Sequence, residues 1–99
     1  MALMQLTIIP MGTGSPSVGD YVADVQKALE KEGASFKLAD MGTIVEGEPA
    51  ALLTLAARLH ELPFGRGLQR VVTQISLDDR RDKQVGLGDK TASVRRRLG

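Results

Sequence analysis

The sequence predicts an α+β sandwich of element order βαββαβ: a four-stranded antiparallel sheet, two helices on one of its faces and a short C-terminal helix. Three observations carry that expectation. Met4-Gln5-Leu6-Thr7-Ile8 alternates apolar and polar with the period of a half-buried strand. Two stretches with helical apolar spacing, 18–29 and 52–62, flank a hairpin-like segment. A β-branched run, Val71-Val72-Thr73-Gln74-Ile75, closes the order.

The first strand is read over Met4 to Ile8 and ends in turn chemistry, Pro10-Met11-Gly12-Thr13-Gly14-Ser15-Pro16. Ser17-Val18-Gly19-Asp20 then fits a capping box with Asp in the place of Glu or Gln, so a helix is expected to begin near Ser17. Its buried stripe is Val18, Val22, Val25 and Leu29, and Gly33 is the C-terminal stop. Ser35 to Ala39 alternates again, Asp40-Met41-Gly42 turns, and Thr43 to Glu46 is short and β-branched, which together read as a hairpin.

Glu48-Pro49 opens the second helix, since Pro suits the first turn and an acid suits the positive end of the helix dipole. Leu52, Leu55, Ala56, Leu59 and Leu62 mark its buried face, and Pro63, Gly65 and Gly67 end it. The fourth strand covers Arg70 to Asp78, followed by the charge cluster Asp78-Asp79-Arg80-Arg81-Asp82-Lys83 and a basic tail, Asp89 to Leu98, with room for a last helix. This order is the split βαβ of the ferredoxin-like fold, in one domain spanning 1–99. One sheet face is left without helices. Its expected residues, Gln5, Thr7 and Ile9 with Val72, Gln74 and Ser76, then Thr43 and Val45, are small and mostly uncharged, which fits cover by another subunit or a ligand better than open solvent.

Composition narrows the function. The chain has 99 residues, 42% hydrophobic and 25% charged, with 13 Lys+Arg against 12 Asp+Glu. A net charge of +1 excludes a strongly polybasic nucleic-acid binder. With no Cys, thiol nucleophiles, zinc ribbons and disulfide frameworks are excluded, and the expected location is the cytoplasm. Residues 1 to 19 carry no charge, but Gln5, Thr7, Pro10 and Gly12 interrupt any signal or membrane-spanning reading, so no membrane association is expected.

Catalytic constellations are poorly supported. Gly12-Thr13-Gly14 begins like a dinucleotide fingerprint, but Ser17 stands where the third Gly belongs. It reads as a tight turn into a helix whose backbone N–H groups can hold a polar ligand group. His60, the only histidine, is read as a surface residue with no route to Ser15 or Ser17, and no metal-ligand spacing exists. Arg80, Arg81 and Arg95 to Arg97 are expected to make salt bridges and intersubunit contacts. Glu46 stands apart: it is a carboxylate in an otherwise apolar strand, costly to bury without a partner.

Ile9-Pro10-Met11-Gly12-Thr13-Gly14, Ser17-Val18, Tyr21-Val22, Met41-Gly42-Thr43-Ile44-Val45-Glu46-Gly47-Glu48, Arg70-Val71-Val72-Thr73, Asp78-Asp79-Arg80-Arg81-Asp82-Lys83, Lys90 and Ser93-Val94 occur in an order covering nearly the whole chain. Together they resemble the thiamine-binding proteins of the YkoF-like superfamily, with Asp40 departing from the Pro that often precedes the Met-Gly-Thr turn. The resemblance implies a non-catalytic protein that binds thiamine or its hydroxymethylpyrimidine part, requires no cofactor, and assembles through open sheet faces into dimers and tetramers. For the ligand it implies Thr43, Ser17 and the Gly12-Thr13 backbone as hydrogen-bonding groups, and Glu46 beside the thiazolium or the amino group. The alternative is a structural or regulatory oligomer that binds another small ligand or none. RNA binding is disfavoured because Tyr21, Phe36 and Phe64 all lie off the first and fourth strands, and acylphosphatase chemistry because the chain has no Asn.

Overall fold

The computed structural model describes all 99 residues. Its elements are β1 (Ala2–Pro10), α1 (Gly19–Lys31), β2 (Ser35–Ala39), β3 (Gly42–Gly47), α2 (Pro49–Glu61), a 3₁₀ turn (Leu62–Arg66), β4 (Val71–Asp79) and α3 (Asp89–Leu98). The sheet has strand order β2-β3-β1-β4, antiparallel throughout. This is the expected ferredoxin-like arrangement, with β1 at its centre.

Alternation along β1 sends Ala2, Met4 and Leu6 into the core, where they meet Val45, Val25 and Leu29 of α1, and Leu52, Leu55, Ala56 and Leu59 of α2. Met4 and Leu29 are completely buried. Truncating a Leu in such a cluster to Ala costs about 2–5 kcal/mol. Two ion pairs brace the helical layer from outside: Arg58 Nη2 donates to Glu32 at 2.7 Å, and Arg66 bridges to both carboxylate oxygens of Asp24 at 2.6 and 3.0 Å.

Helix boundaries follow local chemistry, with one departure from expectation. The capping box at Ser17 does not form: α1 starts at Gly19, Val18 is its N-cap, and no side chain caps it. The reason is upstream, where Ser15 Oγ accepts the Ser17 N–H at 3.1 Å and Thr13 Oγ1 donates to the Ser15 carbonyl at 2.7 Å, so the loop folds on itself. At the other end Gly33 adopts φ +68°, and Ala34 N–H reaches back to the Leu29 carbonyl at 3.1 Å, a glycine-dependent stop. Pro49 takes the first position of α2, and Glu48 is its N-cap.

The register corrects the expected faces. Leu6 pairs with Thr43 and Met4 with Val45, so Thr43 and Val45 lie on the helix-covered face and are buried, at 4% and 1% exposure. Ile44 and Glu46 take the open face instead. There they join Leu3, Gln5, Thr7 and Ile9 of β1 and Val72, Gln74 and Ser76 of β4. His60 is also not a surface residue: it is half-buried, its Nδ1 lies 2.6 Å from Thr73 Oγ1, and its ring meets Phe64 edge-to-face at 5.5 Å, tying α2 to β4.

After β4 the charge cluster pairs locally, Arg80 with both carboxylate oxygens of Asp82 at 2.6 and 2.9 Å and Arg81 with Asp79 at 2.7 Å. The donated hydrogen bonds hold both Asp79 and Asp82 below the usual carboxylate range. The tail then turns at Gly86, whose N–H is accepted by Asp89 at 2.7 Å, and Lys90 pairs with Asp78. The last helix forms over the expected residues but buries none of them, and its Val94 and Leu98 are exposed.

Candidate functional site

A difference in strand length creates a mainly apolar cavity. β1 pairs with β4 along all of Ala2–Pro10, but its pairing with β3 stops at Leu6↔Thr43. Beyond that point the hairpin has already turned, at Asp40 and Met41, and the upper edge of β1 has no strand beside it. The first half of α1 passes over this gap. What remains is a cavity of about 360 Å³ walled by Leu6 to Pro10, by Val18, Tyr21, Val22, Val25 and Gln26 of α1, and by the turn from Leu38 to Thr43.

Close backbone approach holds the turn in place. Thr7 Oγ1 donates to the Met41 carbonyl at 2.9 Å. A Cβ at position 42 would stand 2.8 Å from Thr7 Oγ1 and 3.0 Å from the Leu6 carbonyl oxygen, so Gly42 is required for the hairpin to close on β1. That same proximity shows that the Leu6 carbonyl faces the β3 side. Ile8, two residues on, aims its backbone N–H and carbonyl in the same direction, where β3 has ended.

The lining is mainly apolar, with few polar groups. Gln26 Nε2 donates to Thr43 Oγ1 at 3.0 Å. The carbonyl oxygen of the same amide, Oε1, is buried and has no partner in the protein. Tyr21 sits further out, its ring stacked under the Arg66 guanidinium at 5.5 Å. Arg66 donates in turn to Asp24 and holds that carboxyl below its ordinary value of 3.8. Asp40 is exposed and supplies the one carboxylate of the lining, at the rim.

The structure divides the residues singled out in the sequence. Thr43 lies in the cavity wall. Gly12, Thr13 and Ser17 belong to the loop that joins two wall residues, Pro10 and Val18, but none of them lines the cavity: Thr13 Oγ1 and the Ser17 N–H both bond to Ser15, and Gly12 borders a separate pocket with Gly67 and Arg70. Glu46 does not converge with them. It faces the other side of the sheet from Thr43, where a Cβ on Gly86 would come within 2.9 Å of its Oε1. Gln26 was missed. Its signal was an uncharged amide four positions after Val22 and next to Val25, on the flank of the apolar stripe, in a helix whose other polar side chains apart from Tyr21 are Asp, Glu and Lys.

Elsewhere, no group of three or more His, Cys, Asp or Glu side chains is placed to hold a metal ion. No helix is long and apolar enough to cross a membrane.

Comparison with known proteins adds the family. A family profile described as thiamine-binding protein matches residues 4–95. The UPF0045 protein YqgV of Bacillus subtilis is 48% identical over 102 residues, covering 99% of this chain and 98% of its own. A UPF0045 protein of Methanothermobacter thermautotrophicus is 39% identical over 99 residues, covering 99% and 100%. Among solved structures, the hypothetical protein MJ1052 of Methanocaldococcus jannaschii superposes with a TM-score of 0.84 at 27% identity, over 94% of both chains. A Thermotoga maritima protein provisionally assigned to thiamine biosynthesis or salvage gives a TM-score of 0.78 at 14% identity, over 94% of this chain and 97% of its own, which shows a shared fold.

Proposed function

Because this chain belongs to the thiamine-binding protein family, we propose that it binds thiamine, or the hydroxymethylpyrimidine half of it, without catalysing a reaction, in the cavity between β1, α1 and the β2–β3 turn. One observation carries the reading: a cavity of about 360 Å³ with ten hydrophobic residues among its sixteen, and a hydrogen-bonding pair, Gln26 and Thr43, set into its wall. A flat aminopyrimidine has apolar faces and a polar edge, and it is matched by a slot of this kind. The cationic thiazolium then points outward, toward the Asp40 carboxylate at the rim, which takes the place first expected of Glu46. The loop carrying Gly12, Thr13 and Ser17 offers backbone and hydroxyl groups to whatever part of the ligand leaves the mouth. A binding protein fits better than an enzyme because the lining offers an amide, hydroxyls and one rim carboxylate rather than a nucleophile beside a base.

We infer also that the protein is cytoplasmic and acts as a homo-oligomer, built as a tetramer of two dimers. The open face supports assembly: Leu3, Ile9, Ile44 and Val72 are half-buried there beside Gln5, Gln74 and Ser76, with the charges Lys37, Glu46 and Asp78 on the same face, and α3 projects without burying any of its own residues. Calorimetric titration with thiamine, its phosphates and hydroxymethylpyrimidine tests the ligand, and light scattering at micromolar concentration tests the assembly. Saturable binding at one ligand per chain is expected. An oligomer that takes up none of these ligands would favour a structural or regulatory role, and a monomer would remove the argument from the open face.

A further inference from the structure

We propose that Arg66 and Asp24, neither of which lines the cavity, are positioning residues for whatever it binds, acting through Tyr21. The inference rests on the small-molecule reading above and adds how the wall is held. Tyr21 is the one aromatic side chain among the sixteen residues of the wall, and it is half-buried. The Arg66 guanidinium lies over its ring, 5.5 Å from the centroid, as the attraction between a cation and an aromatic face favours. Arg66 is itself fixed at both ends. Its backbone belongs to the 3₁₀ turn, which carries the buried Pro63 and is closed by Gly67 at φ +91°, whose N–H donates to the Phe64 carbonyl at 3.0 Å. Its guanidinium forks onto Asp24, Nε to Oδ2 at 2.6 Å and Nη2 to Oδ1 at 3.0 Å. Asp24 follows Tyr21 by three residues on α1 and so shares its side of the helix.

The carboxylate sets the plane and place of the guanidinium, and the guanidinium sets the ring. Two further charges lie within reach and support the arrangement: Asp20, one turn before Asp24, attracts Arg66, and Lys27 favours the ionised Asp24. Arg58 and Glu32 form a comparable exposed pair, but the contact between a cation and a ring belongs to Arg66. A half-exposed ring without such a neighbour is free to turn about its Cα–Cβ bond, and a side chain that must be ordered at the moment of binding lowers affinity. With Arg66 in place the ordering is done before the ligand arrives. Lysine is no substitute, because a point charge offers neither the fork nor the flat face.

The chain has one tyrosine and no tryptophan, so its tyrosine emission reports Tyr21 alone. The test pairs nanosecond anisotropy decay of that emission, in the ligand-free protein, with calorimetric titration of thiamine. Both are run on the wild type, Arg66→Lys, which keeps the charge, Asp24→Asn, and Arg58→Lys as a control for a weakened outer ion pair, with circular dichroism confirming that each is folded. In Arg66→Lys and Asp24→Asn the fast local motion of the ring should grow about twofold or more in amplitude. Thiamine should bind them about two- to tenfold more weakly, the cost of ordering one side chain. Arg58→Lys should match the wild type in both. In a Tyr21→Leu background, Arg66→Lys should change thiamine affinity by less than about twofold, because the ring through which it acts is gone. Unchanged Tyr21 motion in both variants, unchanged thiamine affinity, or a loss that persists undiminished without the ring would overturn the assignment and leave thiamine binding standing. A wild type that takes up no thiamine would overturn both readings.

Discussion

The unpartnered carbonyl of Gln26 has a consequence for stability that needs no ligand. In the empty protein the Gln26–Thr43 pair makes one hydrogen bond, worth about 1 kcal/mol net, and leaves one buried carbonyl unserved, at a cost of about 1–3 kcal/mol. Thr43→Val alone removes the only partner of the amide N–H and leaves two unserved groups, so it should destabilise by about 1–3 kcal/mol. Gln26→Leu alone removes the carbonyl but strands the Thr43 hydroxyl, and the two effects nearly cancel. Gln26→Leu with Thr43→Val removes every polar atom of the pair while keeping shape and helix propensity, since Leu is at least as good a helix former as Gln. The double variant should therefore be more stable than the wild type by about 0–2 kcal/mol, with a strongly favourable coupling between the two changes. For a domain of this size each kcal/mol raises Tm by about 4–8 °C, so thermal and urea unfolding followed by circular dichroism resolve the four proteins. A double variant less stable than the wild type by more than about 1 kcal/mol would refute the argument, because the carbonyl would then have been satisfied all along. Three variants all within about 0.5 kcal/mol of the wild type would refute it too, by showing that the pair is served by water. A stabilised double variant that no longer binds would mark the pair as retained for function at the expense of stability.

Asp40→Asn should weaken thiamine by about two- to fivefold, more at low salt, and leave neutral hydroxymethylpyrimidine unchanged, because an exposed carboxylate contributes about 0.3–1 kcal/mol to a nearby cation; equal losses for both ligands would show that Asp40 shapes the turn instead. Glu46→Gln should leave hydroxymethylpyrimidine affinity within about twofold, since Glu46 and Thr43 face opposite sides of the sheet; a tenfold loss would place the ligand at the open face or a subunit interface. The Arg66 hydrogen bonds hold the Asp24 carboxyl below its ordinary value, so this pair stabilises the fold above that value and loses its contribution as the pH falls through the lower, folded one. Urea midpoints should therefore show a wild type that exceeds Asp24→Asn by a constant margin above about pH 5, a margin that shrinks below about pH 4; a margin independent of pH would mean that the ion pair is not its source.

Much of the fold was legible because its signals are local and agree with one another. The stripe Val22, Val25, Leu29 ending at Gly33, the Glu48-Pro49 start and the hairpin turn at Asp40-Met41-Gly42 each act over a few residues, and the structure places all of them; Val18, expected to head the buried stripe, is instead the exposed N-cap of the helix. The misreadings are of another kind. Whether Thr43 and Val45 point in or out follows from register, and a strand of six residues has the same alternation in either setting. Only the pairing of Leu6 with Thr43 decides it. Ser17 has the composition of a cap, but Ser15 two residues earlier takes its backbone N–H, and nothing in the spacing separates those outcomes.

The site was harder to see because no motif encodes it. It arises from a mismatch: β1 runs nine residues and is fully matched by the nine of β4, whereas β3 has six and leaves the end of β1 bare. With the first strand read as Met4 to Ile8 and the third as Thr43 to Glu46, the two are nearly equal, and the gap between them vanishes. Once the true lengths are known, the gap must be roofed by the helix that follows β1, and the residue of that roof nearest Thr43 must be polar or leave the hydroxyl alone. Gln26 meets the requirement with half of its amide. The other half, a carbonyl buried without a partner behind a largely apolar wall, is set by where α1 crosses the sheet and has no counterpart in the spacing of the sequence.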